Sequence, residues 1–149
     1  MTADWPFITS SERGSSMSIV HREGSTATDL AIERGEINGA DVYAASDLMI
    51  GRGGAGTVAD VATVGVPSIL VPWSGATDDH QRGNIRWLSD DGAAVLLDES
   101  EVGHRLSSTI AELRVDRTRL DDLGRRARDK GELNRRGAII DVIEEIAGA

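Results

Sequence analysis

The stretch Gly51-Arg52-Gly53-Gly54-Ala55-Gly56-Thr57 holds four glycines in seven residues. Glycine lets a backbone come close to a ligand and adopt conformations other residues avoid. If a helix starts here, its free N–H groups and partial positive charge suit a phosphate or pyrophosphate. An anion would then be held without a cluster of Lys or Arg. The stretch fits the dinucleotide fingerprint poorly, and the chain has no G-x-x-x-x-G-K-S/T phosphate loop. The plainer reading is a Gly-rich strand-to-helix turn that binds nothing. Next in line, Thr57-x-x-Asp60 has the form of a capping box, with Asp for the usual Glu or Gln. On one reading both residues only cap a helix, worth ~1 kcal/mol. On the other, Asp60 accepts hydrogen bonds from two vicinal hydroxyls of a sugar. Both readings can hold, since capping would aim the carboxylate at the ligand side. A second polar set is Asp78-Asp79-His80-Gln81, with Asn84 three residues on. His80 and Gln81 offer the directional donors and acceptors that sugar hydroxyls need. Alternatively, Asp78 or Asp79 caps a helix and the rest is merely exposed.

These residues need elements to position them. Met17 to Arg22, Asp47 to Gly51, Ser68 to Val71 and Ala93 to Leu97 are short, continuous apolar runs and read as strands. Residues 26–34 and 40–46 are weak helix candidates. Thr57 to Val64 has helical spacing, with Gly65 placed to end it and Pro67 to block continuation. His80 to Ser89, Glu101 to Leu113, Arg117 to Lys130 and Asn134 to Ile146 read as helices, with Asp116 as N-cap of the third. Strands alternate with helices and are apolar throughout, which predicts an α/β fold: a Rossmann-like parallel sheet with helices on both faces. Ligands of such sheets bind beyond the carboxyl ends of the strands, where both polar sets would lie. Residues 1–16 are polar and Ser-rich in their middle and read as a flexible lead-in. Residues 17–149 form the domain, and the small sheet is expected to be incomplete before Met17.

The chain has 149 residues, which suits one domain, and 40% are hydrophobic. Aromatics are only 3%, so Val, Ile, Leu and Ala must build the core. The net charge of −9 argues against a nucleic-acid or anionic-lipid surface. The absence of cysteine and the presence of only three well-separated His speak against disulfides and a metal site. It fits a reducing cytoplasm. No run approaches the ~20 apolar residues of a membrane span, and no signal peptide is visible.

Together the two polar sets resemble MurG-type N-acetylglucosaminyltransferases. The likeness rests on ASDLMIGRGGAGTVAD (Ala45 to Asp60), VGVPSILVP (Val64 to Pro72), Asp79-His80-Gln81-x-x-Asn84 and DGAA (Asp91 to Ala94), in order and at the family's spacing. It runs from about Ile19 to Ile146 and is most specific between Ala44 and Leu97. The resemblance implies the C-terminal, donor-binding half of a GT-B glycosyltransferase. In that family this half binds UDP-N-acetylglucosamine. The N-terminal half binds a lipid-linked muramoyl-pentapeptide at the inner face of the cell membrane. Transfer inverts the anomeric carbon in peptidoglycan synthesis, with no metal or other cofactor. Ala55, Gly56, Thr57, Val58, Ala59 and Asp60 match the family's segment around the phosphates and ribose. Asp60 stands where the family has a ribose-binding Glu and is one methylene shorter. Gln81 matches a hexose-binding Gln, with His80 its neighbour. Ile37 lies near the family's uracil contact, and Gly53 stands where some members have Ser.

On this resemblance the acceptor half, the first strand of the donor half and its Gly-Gly-Ser loop lie outside this sequence. No catalytic residue is assigned, and the chain alone is expected to be inactive. Three alternatives stay open. One is the donor subunit of a split enzyme whose partner binds the acceptor. Another is a fragment of a natural-product glycosyltransferase. The third is a non-catalytic remnant that binds a nucleotide sugar or nothing.

Overall fold

The computed structural model describes residues 8–10, 17–20, 43, 46–75 and 79–148. Five strands form one sheet in the order β1-β2-β3-β4-β5. They are β1 (Ile8–Ser10), β2 (Met17–Val20), β3 (Leu48–Arg52), β4 (Ser68–Val71) and β5 (Val95–Leu96). β3, β4 and β5 run parallel, with Ile50 beside Ile69 and Ile69 beside Val95. Their continuous apolar character reflects burial on both faces.

The helices are α1 (Ala55–Val64), α2 (His80–Ser89), α3 (Val102–Val115), α4 (Arg117–Lys130), α5 (Glu132–Arg135) and α6 (Ala138–Ala147). Strand alternation splits the core into two layers. Met49 and Leu70 point to one face and pack with Val58, Val61 and Ala62 of α1 and Ile85 and Leu88 of α2. Leu48, Ile50, Ile69 and Val71 point to the other and pack with Leu113 of α3 and Leu120 and Leu123 of α4. Helices therefore cover both faces, as the apolar runs predict. Gly65 ends α1 at φ +79, and its N–H donates to the Val61 carbonyl. Asp116 caps α4, its carboxylate accepting from the Arg119 amide at 3.0 Å.

Four details differ from the sequence reading. β2 pairs with β3 antiparallel, not as part of the parallel sheet. An apolar run of four residues carries no directional signal, and the edge of β3 accepts a neighbour in either sense. β1 lies inside the segment read as a flexible lead-in and pairs antiparallel with β2, Ile8 beside Ile19. That pairing supplies partners for backbone groups β2 would otherwise leave open. The run from Ala93 narrows to a two-residue ladder, because Ala93 and Ala94 are buried before the strand begins. The helix expected from Asn134 to Ile146 breaks into α5 and α6 at Gly137, where φ is +69. Residues 26–34 and most of 40–46 lie outside the described residues; Tyr43, within the second stretch, is helical and buried.

Among the described residues no helix is long and apolar enough to cross a membrane.

Candidate functional site

β3, β4 and β5 end at one edge, and α1, α2 and α3 all begin there. This is the edge where open α/β sheets take their ligands.

At its centre β3 runs through Gly53 and Gly54 into α1. Gly54 is the N-cap, with an extended backbone (φ −62, ψ 149) and no capping side chain. The first helical bond runs from the Val58 amide to the Gly54 carbonyl, 3.0 Å. The amides of Ala55, Gly56 and Thr57 thus precede the ladder and have no acceptor within the helix. No acidic residue stands in the first turn, and Ala55 and Gly56 are exposed. A partial positive charge is left facing outward, with no carboxylate to cancel it.

The Thr57–Asp60 capping box is not formed. The glycine pair lets the helix start two residues early, so Thr57 is its third residue and Asp60 its sixth. A cap must lie outside the helix, and both are inside it. Asp60 is exposed in the second turn, one turn along from Gly56 and Thr57 on the same stripe. Its charge reaches Tyr43, whose phenol is pushed above its ordinary value by burial first and by Asp60 second. Val58 is buried in the core, so only its backbone is available to a ligand. Ala59 is half-buried.

α2 approaches the turn closely. Asn84 Nδ2 donates to the Gly53 carbonyl at 3.0 Å. A Cβ on Gly53 would lie 2.6 Å from the Gln81 backbone oxygen and 2.5 Å from Ile85 Cδ1. Glycine is therefore needed there for helix approach, whatever hydroxyl a Ser would have offered. Asp79 does not cap α2 either. It sits at φ +54 and its carboxylate pairs with Arg82 Nε at 3.1 Å. Arg82 also pairs with Asp98, which ties the start of α2 to the end of β5. Asp78 and Ile37 lie outside the described residues. His80 is exposed at the first position of α2. Gln81 Oε1 accepts from the Trp73 amide at 2.9 Å, which leaves the Gln81 NH2 as the group to offer a ligand.

A further network closes the edge. Arg52 Nη2 meets Glu99 Oε1 at 2.7 Å, and Arg52 Nη1 donates to the Pro72 carbonyl at 3.4 Å. Glu99 Oε2 accepts from the Ser74 amide at 3.0 Å and from the Ser74 hydroxyl. The two Ser74 bonds first, and Arg52 after them, hold the Glu99 carboxyl down at about 2. Beside Arg52 and Glu99 opens a depression of about 400 Å³, lined also by Ile50, Val102 and Leu106.

The structure thus joins the Gly turn, Gln81 and Asn84 directly, and places Asp60 and His80 exposed beside them. Asn84 gains a positioning role that its type and spacing did not reveal. Ser74, Trp73 and Glu99 carry no motif, and Arg52, inside the family-like stretch Ala45 to Asp60, had no role assigned to it. The available signals were an Arg inside a glycine run and a Trp after Pro72 in a chain poor in aromatics. Among the described residues no group of three or more His, Cys, Asp or Glu could hold a metal ion.

A three-stranded parallel core with an uncapped, glycine-entered helix at its carboxyl edge defines a Rossmann-like α/β domain. The glycosyltransferase family 28 C-terminal domain matches residues 36–136, and the chain belongs to that family. A relative from Azoarcus sp. (strain BH72) is 43% identical over 109 residues, covering 72% of this chain and 30% of its own length. Another, from Halorhodospira halophila, is 42% identical over 110 residues, with 72% and 30% covered. Both are named UDP-N-acetylglucosamine--N-acetylmuramyl-(pentapeptide) pyrophosphoryl-undecaprenol N-acetylglucosamine transferase. The crystal structure of Acinetobacter baumannii MurG superimposes with a TM-score of 0.61 at 36% identity, over 72% of this chain and 31% of that one. The chain thus spans about 30% of the length of the curated relatives it matches.

Proposed function

We propose that this chain binds UDP-N-acetylglucosamine as the donor half of an inverting glycosyltransferase. The acceptor would be an undecaprenyl-diphospho-muramoyl-pentapeptide, held by a separate half or partner chain at the cytoplasmic face of the membrane. The product would be the disaccharide-bearing lipid of peptidoglycan synthesis. The observation that carries the reading is the start of α1: an uncapped N-terminus without an acid in its first turn, at the carboxyl edge of the parallel strands. The names of the relatives support the choice of nucleotide sugar.

In this reading the amides of Ala55, Gly56 and Thr57 bind the pyrophosphate, with the Val58 and Ala59 backbone lining the approach. A leaving UDP carries growing negative charge as the glycosidic bond breaks. Fixed N–H dipoles aimed at it favour departure without reorganising. Asp60, on the same stripe of the helix, accepts from the ribose diol. The Gln81 NH2 donates to a hexose hydroxyl, with His80 at the rim. No residue of this chain is assigned as the base that activates the acceptor hydroxyl; that group belongs to the acceptor half. Donor and acceptor must be held face to face for transfer, so the chain by itself is expected to bind without turning over.

Titration calorimetry of UDP and UDP-N-acetylglucosamine tests the reading. Asp60→Asn should weaken both ligands roughly ten- to a hundredfold, the range of a lost charge-assisted hydrogen bond. Melting should barely move, because Asp60 caps nothing. Gln81→Ala should weaken the nucleotide sugar far more than UDP. A parent chain that binds neither ligand, or an Asp60→Asn variant that binds both as the parent does, would count against the proposal.

A further inference from the structure

The three residues that leave β4, Pro72, Trp73 and Ser74, are each held by a hydrogen bond while they present a large aromatic to solvent. The Pro72 carbonyl accepts from Arg52, the Trp73 amide donates to Gln81 Oε1 at 2.9 Å, and the Ser74 amide donates to Glu99 at 3.0 Å. Gly75 packs over one face of the indole: a Cβ there would sit 2.8 Å from Trp73 Cζ2, 2.9 Å from Cε2 and 3.3 Å from Nε1, which leaves the opposite face for a ligand. Yet Trp73 remains 52% exposed. Its anchor, Gln81, is the proposed hexose contact, and the backbone of Gln81 touches the Gly turn at Gly53. Trp73 is thus joined to the Gly turn through Gln81.

We propose that Trp73 is a specificity-determining residue of the donor site, its indole face taking the apolar C–H face of the donor hexose; this rests on the UDP-N-acetylglucosamine reading above. A pyranose ring is amphipathic. Hydroxyls point outward around its rim, while axial C–H groups make an apolar patch on its face. Recognising it takes a flat apolar surface for the face and directional polar groups for the rim. Trp73 supplies the surface, and the Gln81 NH2 supplies a rim donor. The hydrogen bond from the Trp73 amide to Gln81 Oε1 fixes the Trp73 main chain against the Gln81 side chain, and Gly75 packs against the indole, so less must be ordered when the sugar arrives. A contact already rigid in the free protein loses little entropy on binding, which is where an aromatic anchor gains affinity. Aromatic contacts of this kind add modest energy beyond area burial, so the effect should be a discrimination rather than an absolute requirement.

Titration calorimetry of the full chain with UDP and UDP-N-acetylglucosamine tests this, using the parent, Trp73→Leu and Trp73→Phe. Trp73→Leu should weaken UDP-N-acetylglucosamine roughly fivefold, while UDP stays within about twofold. Trp73→Phe keeps a flat ring and should stay close to the parent for both. An unchanged affinity of Trp73→Leu for the nucleotide sugar overturns the proposal. So does an equal loss for UDP, which would place the indole under the base or make it a loop support. A Phe variant as weak as the Leu variant removes the stacking claim. A parent that binds neither ligand instead refutes the donor-site reading itself, and this inference with it.

Discussion

Asn84 donates its side-chain amide to the carbonyl of Gly53, 31 residues earlier in the chain, at 3.0 Å. The bond holds the β3–α1 turn against α2 and occupies the Gly53 carbonyl. It leaves N–H groups, not oxygens, at the start of α1.

Asn84→Ala should therefore cost about 0.5–1.5 kcal/mol in stability, the usual net worth of such a bond, and also weaken UDP several-fold. Asn84→Asp separates the two effects. At neutral pH its carboxylate faces a carbonyl oxygen and cannot donate; once protonated it can. UDP affinity of the Asp variant should recover relative to parent as pH falls through the carboxyl range. Calorimetry between pH 7 and about 4.5 reads this, and a flat ratio would show that the bond does not shape the site.

Two glycines should behave differently. Gly53→Ala places a Cβ 2.6 Å from the Gln81 backbone oxygen and should disturb both folding and ligand binding. Gly131→Ala places one 2.1 Å from the Ala62 carbonyl oxygen, on the far end of α1, and should disturb folding alone. Overpacking of this kind costs ~1–3 kcal/mol. Urea melts and UDP titrations of the pair distinguish the roles; equal ligand affinity for both variants would contradict the placement of Gly53.

Glu99 links folding to pH. Its carboxyl sits at about 2 in the folded protein against an ordinary 4.5. A depressed acid stabilises the fold above its unfolded value and loses that contribution as pH falls toward its folded one. The tie from Glu99 to Ser74 and Arg52 should therefore be intact above about pH 4.5 and fade toward about pH 2. Glu99→Gln should melt below the parent near neutrality, and the gap should shrink on acidification through that window. A gap that stays constant or widens would mean the ionised Glu99 carboxylate contributes nothing to folding.

Asp116→Ala removes the acceptor of the Arg119 amide at the start of α4. An N-cap lost in this way costs about 1 kcal/mol. UDP affinity should be untouched, because α4 begins at the opposite edge of the sheet from α1. Paired melting and titration check both halves of that statement.

The local grammar of the chain carried far. The bounds of β4, α2 and α4 follow from apolar runs, Pro67 and Pro72, and the Asp116 cap, all of which act within a few residues. Gly65 stops α1 because only a residue free of a Cβ sits easily at φ +79. The carboxyl-edge location of the Gly turn and of Gln81 follows from strand–helix alternation alone. The family could be read from motif order, because chemistry at a fixed sheet edge keeps its residues at fixed spacing.

What the tertiary structure decided was where each polar atom points. Thr57-x-x-Asp60 reads as a cap, but two glycines start the helix earlier and turn Asp60 from a structural group into an exposed one. Asp79 reads as a cap and instead pairs with Arg82. Trp73, Ser74 and Glu99 show no periodicity or motif, and the motif that contains Asn84 does not name its partner, because the partners of Asn84, Trp73, Ser74 and Glu99 lie 31, 8, 25 and 25 residues away. The antiparallel entry of β2 was equally hidden, since a four-residue run looks the same in either direction. Sequence fixes what depends on neighbours in the chain; hydrogen bonds across loops depend on how layers pack, and that exists only once the sheet has brought its edge together.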